Sequence, residues 1–307
     1  MERNINEILG DKDFSDIIKR VRLNLENTDF EQLAKNSYDT DRVYPENFSN
    51  WYPNILDFGK FKHSEIISNQ ILTFKETRAF ERVDNIENVD WDEINQILKP
   101  TLDKMKPLKI YSLKNGCFSD KFNFEICMVT KYDLAKKLWE LNMDSHTFDT
   151  GGYTEIVIRE FIPYSYKTSM TIYNGMPLRT EVRAFYNMDK DQIEYMVDYW
   201  DYNYCGDKIS NLNDKIIFDV FHNKTNIPSE NHQVMLTKVM DKIKEDINTL
   251  KFNKEFFKGV WSVDFMYDNV TNRIYLIDMA RGFRSAYWNI DKLTPETRKE
   301  LVNGHNK

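Results

Sequence analysis

The residue types best suited to chemistry are two aspartates, Asp264 and Asp278. The first lies in Lys-Gly-Val-Trp-Ser-Val-Asp-Phe-Met-Tyr-Asp (258–268), the second in Arg-Ile-Tyr-Leu-Ile-Asp-Met-Ala-Arg-Gly (273–282). Aromatic and β-branched runs on either side of the polar stretch Asp268–Asn272 predict two strands joined by a turn. Side chains alternate along a strand, so Asp264 shares a face with Ser262 and Met266, and Asp278 with Leu276 and Ala280. A hairpin pivoting near Thr271 makes the two aspartates cross-strand neighbours, with β-carbons roughly 5 Å apart. Carboxylates that close repel each other unless a cation or a proton sits between them. A divalent metal satisfies that need, and hard oxygen ligands suit magnesium carrying substrate phosphates. The competing reading is two unrelated, solvated aspartates at strand ends.

Further upstream, Lys109–Lys114 reads as a strand that runs into Asn-Gly-Cys-Phe-Ser-Asp-Lys (115–121), with Phe122–Val129 as the return strand. A small-residue loop flanked by Lys114 and Lys121 can cover phosphates through backbone N–H groups and ammonium charge. The P-loop and dinucleotide fingerprints are both absent, and a plain hairpin with solvated lysines fits equally well. Thr154–Ile162 alternates as a strand that stops at Pro163, which has no N–H for a ladder. In Leu178–Tyr186, Glu181 and Arg183 sit two apart on one strand face, either at a polar ligand or as an ordinary cross-strand ion pair.

The elements that would position these groups can be read in chain order. Residues 1–36 show helical spacing (Phe14, Ile17, Ile18, Val21, Leu25), and residues 38–54 form a polar, aromatic loop. A strand follows at Glu65–Leu72, then an acidic connection at Glu81–Asp92 and a helix over Trp91–Met105. Lys131–Leu141 reads as a short helix and Gln192–Tyr202 as a strand. The helix Glu230–Leu250, with Ser229 as its cap, carries an apolar stripe through Leu236, Val239, Ile243 and Ile247. The N-terminal half is thus helical and mixed, and the C-terminal half rich in strands.

Composition narrows the function classes. With 307 residues, 41% hydrophobic and 14% aromatic, the chain can build one large or two modest cores. A net charge of −7 with interspersed signs argues against phosphate-driven nucleic-acid binding. Three scattered cysteines (Cys117, Cys127, Cys205) provide neither a disulfide framework nor a zinc site, and none of the five histidines pairs at helical spacing. No signal-peptide core and no membrane-length apolar run are present, so the expectation is a soluble, cytoplasmic protein that engages neither nucleic acid nor membrane.

Four motifs, in order, resemble the ATP-grasp superfamily, and more narrowly its cell-division-cycle branch, whose eukaryotic members help assemble translation initiation factor two. They are Phe-Ser-Asn-Trp-Tyr-Pro (48–53), Ile-Val-Ile-Arg-Glu-Phe (156–161), Glu-Val-Arg-Ala-Phe (181–185), and Val-Asp-Phe-Met-Tyr-Asp (263–268) with Tyr-Leu-Ile-Asp (275–278). The resemblance implies an α+β, ATP-grasp-like fold of two lobes, with the nucleotide between antiparallel sheets. The division it suggests is a mixed helical region over 1–105, a small lobe over 106–160 and a large lobe with the metal hairpin over 161–307. It also implies that residues 160–162 (Glu160, Phe161, Ile162) present backbone groups to adenine, and that Lys114 or Lys121 and Arg159 lie near the phosphates. Glu181 and Arg183 would then line the nucleotide, and Asp264 and Asp278 would hold magnesium. The chain departs from the family at Asp278-Met-Ala-Arg, where the pattern is Asp-Phe-Asn-Pro, because Ala280 offers no ligand atom.

The functional expectation is a magnesium-ATP-binding chaperone that assembles a translation initiation factor subunit, with Trp51 and Tyr52 as the expected grip. The alternative is a carboxylate–amine ligase acting through an acyl-phosphate. Loss of the family asparagine tolerates static binding better than phosphoryl transfer, which favours the chaperone.

Overall fold

The alternation Glu-Val-Arg-Ala-Phe-Tyr-Asn at 181–187 specifies a strand with two unlike faces, and both are covered: every residue of this strand is buried. The coordinates are a computed structural model that describes residues 28–81, 86–147, 154–162, 164, 170–224 and 232–304. The expected helix through Leu25, Pro163 and the Ser229 cap lie outside the described residues. The chain divides into two units, residues 1–40 and 41–307. The helix Phe30–Arg42 begins in the first and buries none of its side chains.

In chain order the strands are β1 (Ile55–Asp57), β2 (Ile66–Ile71), β3 (Tyr111–Lys114), β4 (Met128–Val129), β5 (Glu155–Glu160) and β6 (Thr171–Ile172). They continue with β7 (Met176–Pro177), β8 (Glu181–Asn187), β9 (Gln192–Asp198), β10 (Lys251–Phe252), β11 (Val260–Asp268) and β12 (Arg273–Arg281). Two four-stranded sheets dominate, ordered β2-β5-β3-β4 and β12-β11-β8-β9, and every pairing in both is antiparallel. This is the α+β class that the sequence predicts.

Each sheet has its own core. On the first, Leu113, Ile156 and Ile158 pack with Ile94 and Leu98 of the helix Trp91–Leu102 and with Leu134, Leu138 and Leu141 of the helix Leu134–Thr147. Asp90 starts the helix at Trp91 by accepting the Glu93 N–H at 3.0 Å. On the second, Val182, Ala184 and Tyr186 share a core with Leu236, Val239 and Ile243 of the helix His232–Asp246.

Two local expectations are corrected. Phe122–Val129 is mostly not a strand: Asp120 Oδ1 accepts the N–H groups of Phe122 (2.8 Å) and Asn123 (3.1 Å), and this winds the chain into a turn before the short β4. The aromatic stretch at 48–53 is not an open loop either. Phe48–Trp51 is a short helix whose Ser49 N–H is held by the buried Glu155 carboxylate, at 3.1 and 3.2 Å. Trp51 is only 1% exposed and belongs to the second sheet's core, so it cannot anchor a partner as expected.

Candidate functional site

The register of β11 and β12 sets Asp264 directly opposite Asp278, as the hairpin spacing predicts. An irregularity follows at once, where Phe265 pairs with Leu276 rather than Ile277. On the other side of β11, Asp264 pairs with Arg183 of β8. The Arg183 guanidinium grips Asp264 through two bonds, Nε–Oδ1 at 2.7 Å and Nη2–Oδ2 at 2.8 Å, and donates from Nη1 to the Ala286 carbonyl at 3.1 Å. Burial works against its charge, but Asp264 outweighs burial and holds the guanidinium above the ordinary arginine range.

Asp278 is met from the other sheet. Lys114, at the end of β3, is buried and donates to both Asp278 oxygens, at 2.6 and 2.7 Å. Arg159 of β5 also crosses over, donating to the Ile277 carbonyl at 2.7 Å. Burial pushes the Asp278 carboxyl up, yet Lys114 and Arg159 prevail and keep it below the usual carboxylate range. The repulsion that the sequence poses is therefore answered by the chain's own cations, one for each aspartate.

Those bonds decide how the aspartates suit a divalent metal. Asp264 has both oxygens on Arg183 and a side chain only 5% exposed, so it does not fit as a ligand in this arrangement. Asp278 is 30% exposed at its side chain and fits once Lys114 lets go. Ala280, opposite Ser262, adds no donor. Magnesium accepts such sparse protein ligation when phosphates supply the rest.

Beside this cluster lies a cleft lined by both sheets. Ser112, Arg159 and Glu160 contribute from the first sheet, and Glu181, Met266 and Ile277 from the second. Lys121, Phe161, Ile162 and Arg179 complete much of the wall. Lys121 donates to the Tyr199 hydroxyl at 2.5 Å and sits 4.0 Å from that ring's centroid. Burial disfavours its charge, but Tyr199, Glu181 and Asp264 outweigh burial and hold the ammonium protonated above the usual lysine range. Glu181 is 2% exposed, its Oε2 has no hydrogen-bond partner, and burial raises its carboxyl against the pull of Lys121.

The structure thus brings Lys121, Arg159, Glu160, Phe161, Ile162 and Glu181 to one cleft, and sets Lys114, Arg183, Asp264 and Asp278 in two ion pairs beside it. Two of the three expected hinge carbonyls are engaged within the chain. The Glu160 carbonyl accepts from Ser64 Oγ and the Ile162 carbonyl from Arg179 at 2.8 Å, while the Glu160 carboxylate pairs with Lys109 at 2.5 Å. Arg179 is the functional candidate that sequence reasoning missed. It lies two before Glu181 and four before Arg183, so the same alternation extended one step would have found it.

No family model and no curated protein matches the sequence. Among solved structures, the chain is similar to C-terminally truncated Cdc123 from Schizosaccharomyces pombe at 14% identity, over 79% of this chain and 86% of that one, with a TM-score of 0.44. It is similar to a second Cdc123 structure from the same organism at 13% identity, over 84% of this chain and 90% of that one, again with a TM-score of 0.44. A RimK domain ATP-grasp protein from Sphaerobacter thermophilus DSM 20745 is similar at 14% identity, over 72% of this chain and 53% of that one, with a TM-score of 0.26.

Proposed function

We propose that the chain binds ATP in the cleft between its two sheets and works as an ATP-dependent assembly chaperone for a translation initiation factor subunit. The observation that carries the nucleotide reading is the lining of the cleft. Lys121, Arg159 and Arg179 bring three cations to a cleft also lined by apolar Phe161, Ile162, Met176 and Met266. A few placed charges among apolar walls suit a ligand that carries both a flat apolar group and anionic groups. In this reading Lys121 and Arg159 neutralise phosphate charge, Glu181 offers its unpaired oxygen to a hydroxyl donor, and residues 160–162 flank the base. Magnesium would arrive with the phosphates and take Asp278 in exchange for Lys114, contributing charge neutralisation. Lys114, released, would turn its ammonium toward the same phosphates.

The binding role is favoured over the ligase by how few groups are left for a metal. Arg183 holds both Asp264 oxygens and Ala280 offers none, so Asp278 alone is left for a metal, which supports holding a nucleotide more than developing charge on a transferred phosphoryl group. The test is calorimetric titration with ATP and with adenosine, for the natural protein and for Lys121→Ala. The expected outcome is about tenfold weaker ATP binding, or about 1.4 kcal/mol, with adenosine binding unchanged, because adenosine has no charge for the lysine to neutralise. Equal loss for both ligands would remove the phosphate role. ADP release near one turnover per second with a carboxylate and an amine present, a rate typical of enzymes at about 1–1000 per second, would replace the chaperone by the ligase.

A further inference from the structure

Away from the cleft, three buried residues from three elements converge. Asp198 ends β9, His222 follows the helix Leu212–Phe221 directly, and His232 opens the helix His232–Asp246. They are 7%, 7% and 3% exposed. His232 Nε2 lies 2.7 Å from Asp198 Oδ2, and the two imidazole centroids are 5.0 Å apart. One donor atom from each of the three residues falls within 4.8 Å of the other two. From these positions we propose a binding site for a single late-transition divalent cation of the zinc class, held by Asp198, His222 and His232.

Two observations argue for a cation rather than a plain polar cluster. First, His222 Nε2 is buried with no hydrogen-bond partner among the described residues, while His232 already faces Asp198 through Nε2. A neutral imidazole has one donor and one acceptor nitrogen, and leaving either unmet in a buried site costs about 1–3 kcal/mol. Among the described residues, apolar rings pack on both histidines: Phe218 lies 4.5 Å from His222 and Phe221 4.3 Å from His232, centroid to centroid. Second, the carboxylate is already oriented. Asp198 Oδ1 accepts the Trp200 N–H at 3.0 Å, which leaves Oδ2 turned to the histidines. Outer hydrogen bonds of this kind fix metal-ligand carboxylates.

The donor set selects the ion class. Two imidazoles and one carboxylate suit zinc and its neighbours, whereas magnesium and calcium call for more oxygen. Metal bonds of about 2.0–2.2 Å draw the donors somewhat closer than 4.8 Å, a change that ring rotation supplies. Three protein ligands leave one position for water in a tetrahedral ion. The site would staple the end of β9 to the helices on either side of residues 222–232, independently of any nucleotide.

The experiment uses the full chain, stripped with a chelator, dialysed, and titrated separately with Co²⁺ and Zn²⁺. The expected result is about one Co²⁺ per chain with visible ligand-field absorption, displaced by Zn²⁺, and a rise in melting temperature on loading. His222→Gln and Asp198→Asn, checked for fold by circular dichroism, should each lower the affinity at least tenfold. If the stripped natural protein binds neither ion at tens of micromolar, the proposal is overturned whatever the variants do. Undiminished binding by a folded His222→Gln variant would overturn it as well, because the ion would then sit elsewhere.

Discussion

At the scale of single residues, the Lys114–Asp278 pair is asymmetric, and that asymmetry has a measurable sign. The lysine side chain is 3% exposed and the aspartate side chain 30%. Removing the aspartate strands a buried ammonium, whereas removing the lysine leaves a carboxylate with access to water and with Arg159 nearby. Breaking a fully buried pair costs about 3–5 kcal/mol, and partial exposure should reduce this to about 2–3 kcal/mol for Asp278→Asn. Lys114→Met should cost clearly less. Urea unfolding of both single variants and the double variant checks this, and equal losses for the two singles would contradict it. Relief of carboxylate repulsion, the stabilisation one would expect from the bare sequence, is already supplied by the cations.

At the scale of elements, the helix Phe48–Trp51 and the strand β9 each act through packing rather than through the cleft. Trp51 stacks edge-on with Phe48 at 5.0 Å and is fully enclosed. Trp51→Ala should therefore cost about 3–5 kcal/mol of stability by leaving a cavity. Trp51→Phe should be milder, since the indole N–H has no hydrogen-bond partner to lose. Denaturation midpoints distinguish this from loss of a binding contact, which would leave stability unchanged. On β9, Glu194 ties the strand to the helix Pro295–Gly304. It accepts from Thr297 Oγ1 at 2.5 Å, the Thr294 N–H at 2.7 Å and Asn187 Nδ2 at 2.9 Å. Burial acts upward on this carboxyl, but these bonds outweigh it and bring it down to about 2. A depressed carboxyl adds stability above its unfolded pKa and loses it as pH falls through the folded value. Glu194→Gln should thus narrow its deficit against the natural protein between about pH 4.5 and pH 2, the span from the unfolded glutamate value to the folded one. Thermal unfolding across that range is the measurement.

At the scale of the whole molecule, legibility in the sequence followed the length of the spacing involved. The facing of Asp264 and Asp278 was readable because a period of two and a short turn determine register. Alternation alone gave only a strand-rich C-terminal half, and the α+β class with two sheets was what the resemblance of the four motifs implied. Lys114 and Lys121 could not be told apart, because they flank a loop in which Gly116 adopts φ 51° and Asp120 redirects the chain. The burial of Trp51 was hidden as well: a helix of four residues has no periodicity, and its cover comes from residues far along the chain. Asp198, His222 and His232 were invisible for the same reason, since a search at helical spacing misses ligands from three separate elements.

The strand pairings also set an order in time. In the second sheet, β8 meets β9 and β11 meets β12 across tight turns, so each pair can close as soon as both strands exist. The first sheet is different, because β2 pairs with β5, matching Ile66 to Arg159. On a ribosome β2 emerges first and must wait for roughly ninety more residues, about 5–20 s at ordinary synthesis rates of about 5–20 residues per second. Through that interval its edge is open to other chains. Pulsed hydrogen exchange during refolding should find amides of the β8–β9 and β11–β12 hairpins protected before those of β2 and β5. Crowded synthesis should cost this protein more at β2 than anywhere in the cleft between the sheets.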